Sequence, residues 1–302
     1  MLLRNVIQET TRLLAQAGLG DDARLEAKWL CEGALGLNRA QLLQQSGHAL
    51  TPTEVERIRA WSARRAASEP LQYILGDVEF CGLRIAVGPG VLIPRPETEG
   101  LVELALKAIA QFSSPPEACE NRKSKIENSH PPVLDLCTGS GCVALAMAKQ
   151  LPPETPVYAV DLSPDALRYA RQNQAALGIK NVQFFEGDLY APLPPALRFG
   201  VITANPPYIA PCFYDQLPPE VKAHEPELAL RADENGLAVF RRIIEGARDR
   251  LLPGGWLFCE LSSEQTDAAC ALLARHGFSE VAMLPDCFEK PRFAVGRYTN
   301  GR

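Results

Sequence analysis

The sequence predicts an α/β protein in which a doubly wound, parallel sheet follows a small all-helical N-terminal domain. Three observations support this fold class. From residue 133 onward, strand-like apolar runs alternate with helical patterns; residues 1 to about 70 show helical spacing alone; and a glycine-punctuated stretch separates the two regions. At 302 residues, with 46% hydrophobic content, the chain is long enough for one α/β domain and a smaller one.

The helical domain is expected over residues 1–72. Apolar positions recur at helical spacing in Val6–Leu14 and in Leu25–Leu35. A later helix opens with Thr51-Pro52-Thr53-Glu54, which supplies an N-cap, a first-turn proline and a capping-box glutamate. This helix carries four arginines, at positions 57, 59, 64 and 65. They form either a solvated face or a partner-binding surface.

A β-hairpin is expected over residues 73–96, because short β-type runs there are broken by glycines. A helix follows over Glu97–Phe112. Residues 113–132 have few apolar side chains and two Pro-Pro pairs, which predicts a flexible insertion. The α/β domain is therefore expected over residues 97–302, with this insertion inside it.

Seven strands are expected in the α/β domain, and helical segments separate most of them. The predicted strands are Val133–Leu136, Val157–Asp161, Val182–Phe185, Val201–Ala204, Trp256–Leu261, Glu280–Leu284 and Arg292–Gly296. Open α/β sheets of this kind bind ligands in the crevice outside the carboxyl ends of their strands. Residues that directly follow these strands are therefore the first candidates for a functional site.

A glycine-rich loop joins the first strand of the sheet to a helix. Its residues are Asp135, Leu136, Cys137, Thr138, Gly139, Ser140 and Gly141. Such a loop places backbone N–H groups and a positive helix end beside a bound anion. The Gly-x-Gly spacing also fits a dinucleotide site, but Asp135 would repel a pyrophosphate and favours a ligand with an amine and a sulfonium. The loop is therefore predicted to bind S-adenosylmethionine.

Two further aspartates end the next two strands. Asp161 is placed to accept hydrogen bonds from ribose hydroxyls; its alternative role is a helix N-cap, which Ser163 already supplies. Asp188, followed by Leu189, is a candidate for binding the adenine amino group, with a turn aspartate as an equal alternative. These residues extend the predicted cofactor site along the edge of the sheet.

The segment Asn205-Pro206-Pro207-Tyr208 follows a predicted buried strand. Proline stiffens the chain, so the Asn205 side-chain oxygen and the Pro206 carbonyl present two fixed acceptors to a planar NH₂ group. An amide nitrogen is a weak nucleophile, and two such acceptors orient it and stabilise the positive charge that develops on it. Tyr208 can stack on the flat substrate group. These four residues are the predicted catalytic loop, and Asn205 also borders the cofactor site.

Several motifs along nearly the whole chain resemble the release-factor glutamine methyltransferase family (HemK-type). They are Glu69-Pro-Leu-Gln-Tyr-Ile-Leu-Gly76, Ile93-Pro-Arg95-Pro-Glu97-Thr98-Glu99, the Asp135–Gly141 loop, Asn205-Pro-Pro-Tyr208, His224-Glu225-Pro226 and Val295-Gly-Arg-Tyr298. The Ile-Pro-Arg-Pro-Glu-Thr-Glu run is highly specific, and its combination with Asn-Pro-Pro-Tyr strengthens the resemblance.

The resemblance implies a Rossmann-like, seven-stranded methyltransferase sheet and methyl transfer to the side-chain amide (N5) of the glutamine in the Gly-Gly-Gln motif of class I peptide chain release factors. It implies that the N-terminal domain helps dock the release factor and that Arg95, Glu97, Thr98 and Glu99 lie beside the substrate pocket. Ser262 and Glu289 stand where the family often has glycine. Glu289 leaves the shape of the late hairpin open.

Four other functions are alternatives to the one that the resemblance implies. A ribosomal-protein glutamine methyltransferase is a close alternative. An adenine-N6 DNA methyltransferase uses the same loop, but the net charge of -5 and pI of about 5.6 give no basic field for DNA. An NAD-dependent oxidoreductase is disfavoured by Asp135, and a catalytically silent release-factor-binding module is disfavoured by the intact Asn205 loop.

The remaining expectations concern compartment and assembly. The nine cysteines contain no Cys-x-x-Cys pair, so neither a disulfide framework nor a metal site is expected. The N-terminus is too polar for a secretory signal, and no apolar run approaches the roughly 20 residues of a membrane span. We therefore expect a cytoplasmic monomer whose protein partner is a release factor, with no binding to DNA or membranes.

Overall fold

The structure is a computed structural model that describes residues 1–112 and 130–299. The predicted insertion at 113–132 lies outside the described residues except for 130–132. Contacts within the chain separate two compact units. The first contains Met1–Val78, Val87–Pro89 and Pro218–His224, and the second contains Glu79–Ala86, Gly90–Leu217 and Glu225–Arg302.

The first unit is built from short helices that bury one apolar face each. They are α1 (Leu3–Leu14), α2 (Ala23–Leu35), α3 (Arg39–Gln44), α4 (Pro52–Ala66) and α5 (Leu71–Leu75). Leucines and an isoleucine on three of these helices, Leu3, Leu30 and Ile58, are completely buried. Helix α4 begins with the predicted capping box, in which Glu54 accepts from the Thr51 amide at 2.8 Å.

The arginines of α4 are neutralised within the first unit. Arg59 pairs with Glu9 at 2.8 Å, Arg64 with Glu69 at 2.6 Å, and Arg65 with Glu26 at 2.5 Å. Arg57 donates to the carbonyl of Ala34 at 2.9 Å. Arg59 and Arg64, which are exposed and paired, favour the first of the two predicted interpretations, a solvated face, whereas Arg65 is buried in its ion pair.

The β-hairpin is shorter than predicted. Its strands are β1 (Asp77–Phe80) and β2 (Leu83–Ala86), and the expectation of β structure from Tyr73 was wrong, because Tyr73–Leu75 belong to α5. Tyr73 and Ile74 are buried apolar residues, and packing overrides their β propensity. A 3₁₀ turn over Pro96–Thr98 then leads into α6 (Glu99–Phe112).

The second unit contains a seven-stranded sheet, as predicted. Its strands are β3 (Val133–Leu136), β4 (Val157–Asp161), β5 (Val182–Glu186), β6 (Phe199–Ala204), β7 (Leu251–Glu260), β8 (Phe278–Pro285) and β9 (Pro291–Tyr298). They lie in the order β5-β4-β3-β6-β7-β9-β8. Strands β3 to β7 pair in parallel, whereas β9 runs antiparallel to both β7 and β8.

Helices accompany the strands of this sheet. They are α7 (Cys142–Gln150), α8 (Pro164–Leu177), α9 (Pro211–Tyr214), α11 (Asp233–Gly236), α12 (Ala238–Arg250) and α13 (Thr266–Arg275); α10 (Pro219–His224) belongs to the first unit. Strands β3 and β6 are buried along their whole length, which explains why most of their residues are apolar. The strand order reverses between β3 and β6, so the carboxyl ends of β3, β4 and β6 border one crevice.

Candidate active site

A cavity lies at the carboxyl ends of β3, β4 and β6. Most of the predicted site residues line it: Arg95, Thr98, Asp135, Cys137, Thr138, Gly139, Ser140, Asp161, Asp188, Leu189, Asn205 and Pro207. Cys137 and Leu189 have positive φ angles of 54° and 47°. Such backbone strain in non-glycine residues concentrates at functional sites. Gly141, Pro206, Tyr208, Glu97 and Glu99 are not among the residues that line it.

Asp135 is buried beneath the glycine loop. Its carboxylate accepts hydrogen bonds from the Thr138 hydroxyl at 2.6 Å and the Thr203 hydroxyl at 2.8 Å. Burial raises the pKa of Asp135 to about 7, although these hydroxyl hydrogen bonds act in the opposite direction. The loss of hydration therefore outweighs the hydrogen bonds, and a positive charge nearby would favour the ionised form of Asp135 at neutral pH.

Asp161 connects the end of β4 to the glycine loop. One carboxylate oxygen accepts from the Gly139 amide at 2.7 Å, and the other accepts from the Ser163 amide at 2.9 Å. Ser163 itself caps α8, as the sequence suggested, by accepting from the Ala166 amide. Burial raises the pKa of Asp161. The amides of Gly139, Ser163 and Leu162 do not use all of the roughly four acceptor positions of the carboxylate, so Asp161 can still accept a hydrogen bond from a ligand.

Asp188 has a partner that the sequence did not reveal. Its carboxylate forms an ion pair with Arg242 on α12 at 2.5 Å, and both residues line the cavity. Both side chains are about half exposed, so this pair contributes little to stability. A ligand that reaches Asp188 must share it with the Arg242 guanidinium.

The Asn205–Tyr208 loop is fixed by side chains from other elements. Gln265 donates to the Tyr208 carbonyl at 2.9 Å, and the Asn205 amide nitrogen donates to the Thr98 hydroxyl at 3.3 Å. The Tyr208 hydroxyl lies 3.4 Å from a carboxylate oxygen of Glu260. Burial, and then the charge of Glu260, raise the pKa of Tyr208. Tyr208 is therefore a neutral hydrogen-bond donor here.

Arg95 is oriented by a buried carboxylate. Glu225 pairs with the Arg95 guanidinium and also accepts from the Ile93 amide at 3.1 Å. The Glu225 side chain is only 1% exposed, whereas that of Arg95 is 34% exposed and reaches the cavity. Glu99 has a different task, because it accepts from the Cys81 amide in the hairpin turn at 2.7 Å.

Some residues of the site were missed from the sequence. Pro226, Leu228 and Ala229 line the cavity next to Glu225, and Arg242 lines it from α12. The His-Glu-Pro motif was a signal for the first group, but nothing local distinguished Arg242 from neighbouring arginines. Within residues 1–112 and 130–299, no three histidine, cysteine, aspartate or glutamate side chains are grouped so that they could hold a metal ion.

The chain is similar to known proteins along nearly its whole length. Residues 5–76 match the family described as PrmC N-terminal domain, and residues 127–263 match a methyltransferase domain. A release factor glutamine methyltransferase of Geobacter sulfurreducens is 42% identical over 99% of this chain and 96% of its own length. The chain belongs to the release factor glutamine methyltransferase family. The enzyme of that name from Deinococcus radiodurans is 37% identical over 100% of both chains.

Solved structures support the same fold. The hMettl16 catalytic domain in complex with MAT2A 3'UTR hairpin 1 matches with a TM-score of 0.56 and 14% identity, covering 93% of this chain and 92% of that chain. At this identity the likeness concerns the methyltransferase fold alone. As a member of the release factor glutamine methyltransferase family, the chain is an enzyme of the methyltransferase class. None of the helices in the described parts of the chain has the length and apolarity to cross a membrane.

Proposed function

We propose that this enzyme transfers a methyl group from S-adenosylmethionine to the side-chain amide nitrogen of the glutamine in the Gly-Gly-Gln motif of class I peptide chain release factors. The observation that carries the proposal is the position of Asn205 and Pro207, which line the same cavity as the glycine loop. The family membership supports the choice of substrate. We further infer that the enzyme acts in the cytoplasm as a monomer, without DNA.

The walls of the cavity combine acidic and apolar groups. The buried carboxylate of Asp135 and the partly buried carboxylate of Asp161 border a lining that includes the apolar residues Val143, Leu162 and Leu189. The Ser140 hydroxyl is buried there without a partner among the described residues, so a ligand could supply one. Acidic groups for cationic and hydroxyl functions, beside apolar walls for an aromatic base, fit this cofactor.

The proposed cofactor contacts follow the carboxylates. Asp161 would accept from ribose hydroxyls, Asp188 and Leu189 would border the adenine, and Asp135 would lie nearest to the cationic part through the glycine loop of Cys137–Gly141. The bound cofactor supplies an electrophilic methyl group on a positively charged sulfur. Ionised Asp135 would stabilise that charge by electrostatic attraction.

The chain's own residues would orient the amide. The Asn205 side-chain oxygen and the Pro206 carbonyl would each accept one hydrogen of the substrate NH₂ group, which fixes the plane of the amide. As positive charge develops on the nitrogen, both acceptors are strengthened, so they favour the transition state over the ground state. Tyr208 would pack on the amide plane, and Arg95 to Glu99 would shape the entrance. After transfer, one N–H proton leaves the nitrogen for water.

The first unit is proposed to dock the release factor. Leu25 and Trp29 lie one turn apart on α2 and are 38% and 41% exposed, so they offer an apolar contact. Trp29→Ala should raise the KM for a whole release factor and leave the KM for a short Gly-Gly-Gln peptide unchanged. Equal changes for both substrates would contradict docking by this surface.

The experiment that tests the proposed function compares acceptors directly. The enzyme is incubated with labelled S-adenosylmethionine and either a class I release factor, the same factor with its Gly-Gly-Gln glutamine replaced, or ribosomal proteins. Mass spectrometry should locate the label on the release-factor glutamine alone. Label on a ribosomal-protein glutamine would favour the close alternative, and label on neither would contradict the proposal.

A further inference from the structure

The side-chain amide of Asn205 ends in an oxygen and an NH₂ group, which have nearly the same shape but opposite hydrogen-bonding character. Only its oxygen can accept a hydrogen from a substrate NH₂ group, whereas its own NH₂ would repel that group. A rotation of the side-chain amide by half a turn would therefore replace an acceptor with a donor. The proposed function requires that something in the protein prevents this rotation.

Thr98 is placed to do so. Its hydroxyl accepts from the Asn205 amide nitrogen at 3.3 Å, and Thr98 is 3% exposed. A hydroxyl that accepts in this direction must turn its own hydrogen elsewhere, because it has only one. If that hydrogen turned toward Asn205, it would attract the amide oxygen instead and favour the wrong orientation.

Glu260 supplies the acceptor for that hydrogen. Strands β6 and β7 pair in parallel with Ala204 opposite Cys259, so the next residues, Asn205 and Glu260, lie side by side at the end of these strands. The Thr98 hydroxyl lies close enough to the Glu260 carboxyl to lower its pKa. One oxygen of this carboxyl is buried without a hydrogen-bond partner among the described residues, and it can therefore accept.

We propose that Glu260 and Thr98 form a positioning relay that holds the Asn205 side-chain oxygen toward the substrate amide. Glu260 orients the Thr98 hydroxyl, and the Thr98 hydroxyl orients Asn205. Neither residue touches the reacting atoms. The inference rests on the proposed function, because it explains how the catalytic loop is kept in its active orientation.

The electrostatic surroundings make the relay sensitive to pH. Burial raises the pKa of Glu260 to about 7, and Glu97 raises it too, whereas Thr98, Arg292 and the Tyr208 hydroxyl lower it. Arg292 is itself held by Asp286 at 3.2 Å. Once protonated, the carboxyl no longer requires the Thr98 hydrogen, so the hydroxyl is free to turn toward Asn205. The relay therefore acts when Glu260 is ionised.

A double-mutant cycle tests whether the Thr98 hydroxyl orients Asn205. Thr98→Val removes the hydroxyl at nearly constant volume and should lower kcat for release-factor methylation about 3- to 10-fold, the effect of one net hydrogen bond. The affinity for S-adenosylmethionine should change less than about twofold, because only the amide orientation is lost. Thr98→Ser should retain near-wild-type activity. In an Asn205→Ala background, Thr98→Val should have no further effect.

Thr155→Val serves as the matched control. Thr155 is 1% exposed and its hydroxyl has no partner among the described residues, but it precedes β4 at the opposite end of the sheet from the cavity. The Thr155→Val variant should leave kcat unchanged. Additive effects of Thr98→Val and Asn205→Ala would overturn the relay, as would equal losses for Thr98→Ser and Thr98→Val. Full activity of Asn205→Ala would instead contradict the proposed function itself.

The pH dependence of kcat, measured at saturating cofactor and substrate, tests whether Glu260 orients the Thr98 hydroxyl. Wild-type kcat should rise through about pH 7 as Glu260 ionises, and Glu260→Gln should have a lower kcat with no rise in this range. Circular dichroism and melting temperature identify a variant that fails to fold, and Thr98→Val then still tests the relay through the same pH profile. A profile that is identical in wild type and Glu260→Gln would remove Glu260 from the relay.

Discussion

Replacing Asp135 by Asn should stabilise the free protein while weakening the binding of S-adenosylmethionine. Burial raises the pKa of Asp135 from 3.8 to about 7, so the folded state binds a proton more tightly than the unfolded state. This group therefore destabilises the fold increasingly as pH rises from about 4 to about 7, after which its effect is constant. Asparagine removes the charge, and the Thr138 and Thr203 hydroxyls can rotate to satisfy it.

The pKa shift sets the magnitude. A rise of roughly 3 in the pKa of Asp135 corresponds to about 4 kcal/mol of unfolding free energy. This value is an upper bound, because the folded and the unfolded states both relax around the charge. We expect the variant to gain about 1 to 3 kcal/mol of unfolding free energy at pH 8 and to converge with wild type near pH 4. Loss of the carboxylate beneath the cationic cofactor should weaken binding by about tenfold or more.

Urea unfolding at several pH values and calorimetric titration of S-adenosylmethionine measure the two effects on the same proteins. Asp286→Asn provides a matched control of opposite sign. Burial raises the pKa of Asp286, but hydrogen bonds from the Lys290 and Phe288 amides and from Arg292 outweigh burial and leave it lowered, so this variant should lose stability at pH 8. If Asp135→Asn loses stability at pH 8 and binds the cofactor like wild type, the reasoning about Asp135 is refuted.

Two further predictions concern the edges of the same cavity. Asp161→Ala should weaken the binding of S-adenosylmethionine and of S-adenosylhomocysteine about equally, by roughly tenfold. The reason is that hydrogen bonds to the proposed ribose and to the Gly139 amide are both lost. Calorimetry that finds the binding of only one ligand affected would contradict this role. Glu225→Gln should raise the KM for a release factor several-fold with little change in kcat, because Arg95 loses the charge of its buried partner. A loss confined to kcat in steady-state assays would place Arg95 at the reacting atoms instead.

The sheet could be predicted largely from the sequence because its central strands are buried on both faces. Val133–Leu136 and Val201–Ala204 are mostly apolar for that reason, and both lie in strands of the structure. The short helix Leu71–Leu75 was not predicted, since its tyrosine and isoleucine favour strands locally and only tertiary packing makes them helical. Contacts distant in sequence decide such cases.

The same distinction applies to the site. Asn205 and Asp161 were identifiable because Asn205 directly follows a strand and Asp161 ends one, and the fold determines the position of side chains at such points. The partners of Asp188 and Asn205 were not identifiable. Arg242 comes from the middle of α12, and Thr98 is 107 positions from Asn205 in sequence, so both depend on how distant elements pack.

The central claim is that Asn205 holds the reacting amide. Single-turnover methylation of a release factor bearing Gly-Gly-Gln, with cofactor affinity measured in parallel, tests it for wild type, Asn205→Ala and Asn205→Asp. Asn205→Ala should slow the chemical step by roughly 10²- to 10³-fold while cofactor binding survives. Asn205→Asp should bind the cofactor more tightly yet react more slowly, because its charge stabilises the ground-state sulfonium. Methylation by Asn205→Ala within about threefold of wild type, a barrier change under about 1 kcal/mol, would contradict the account.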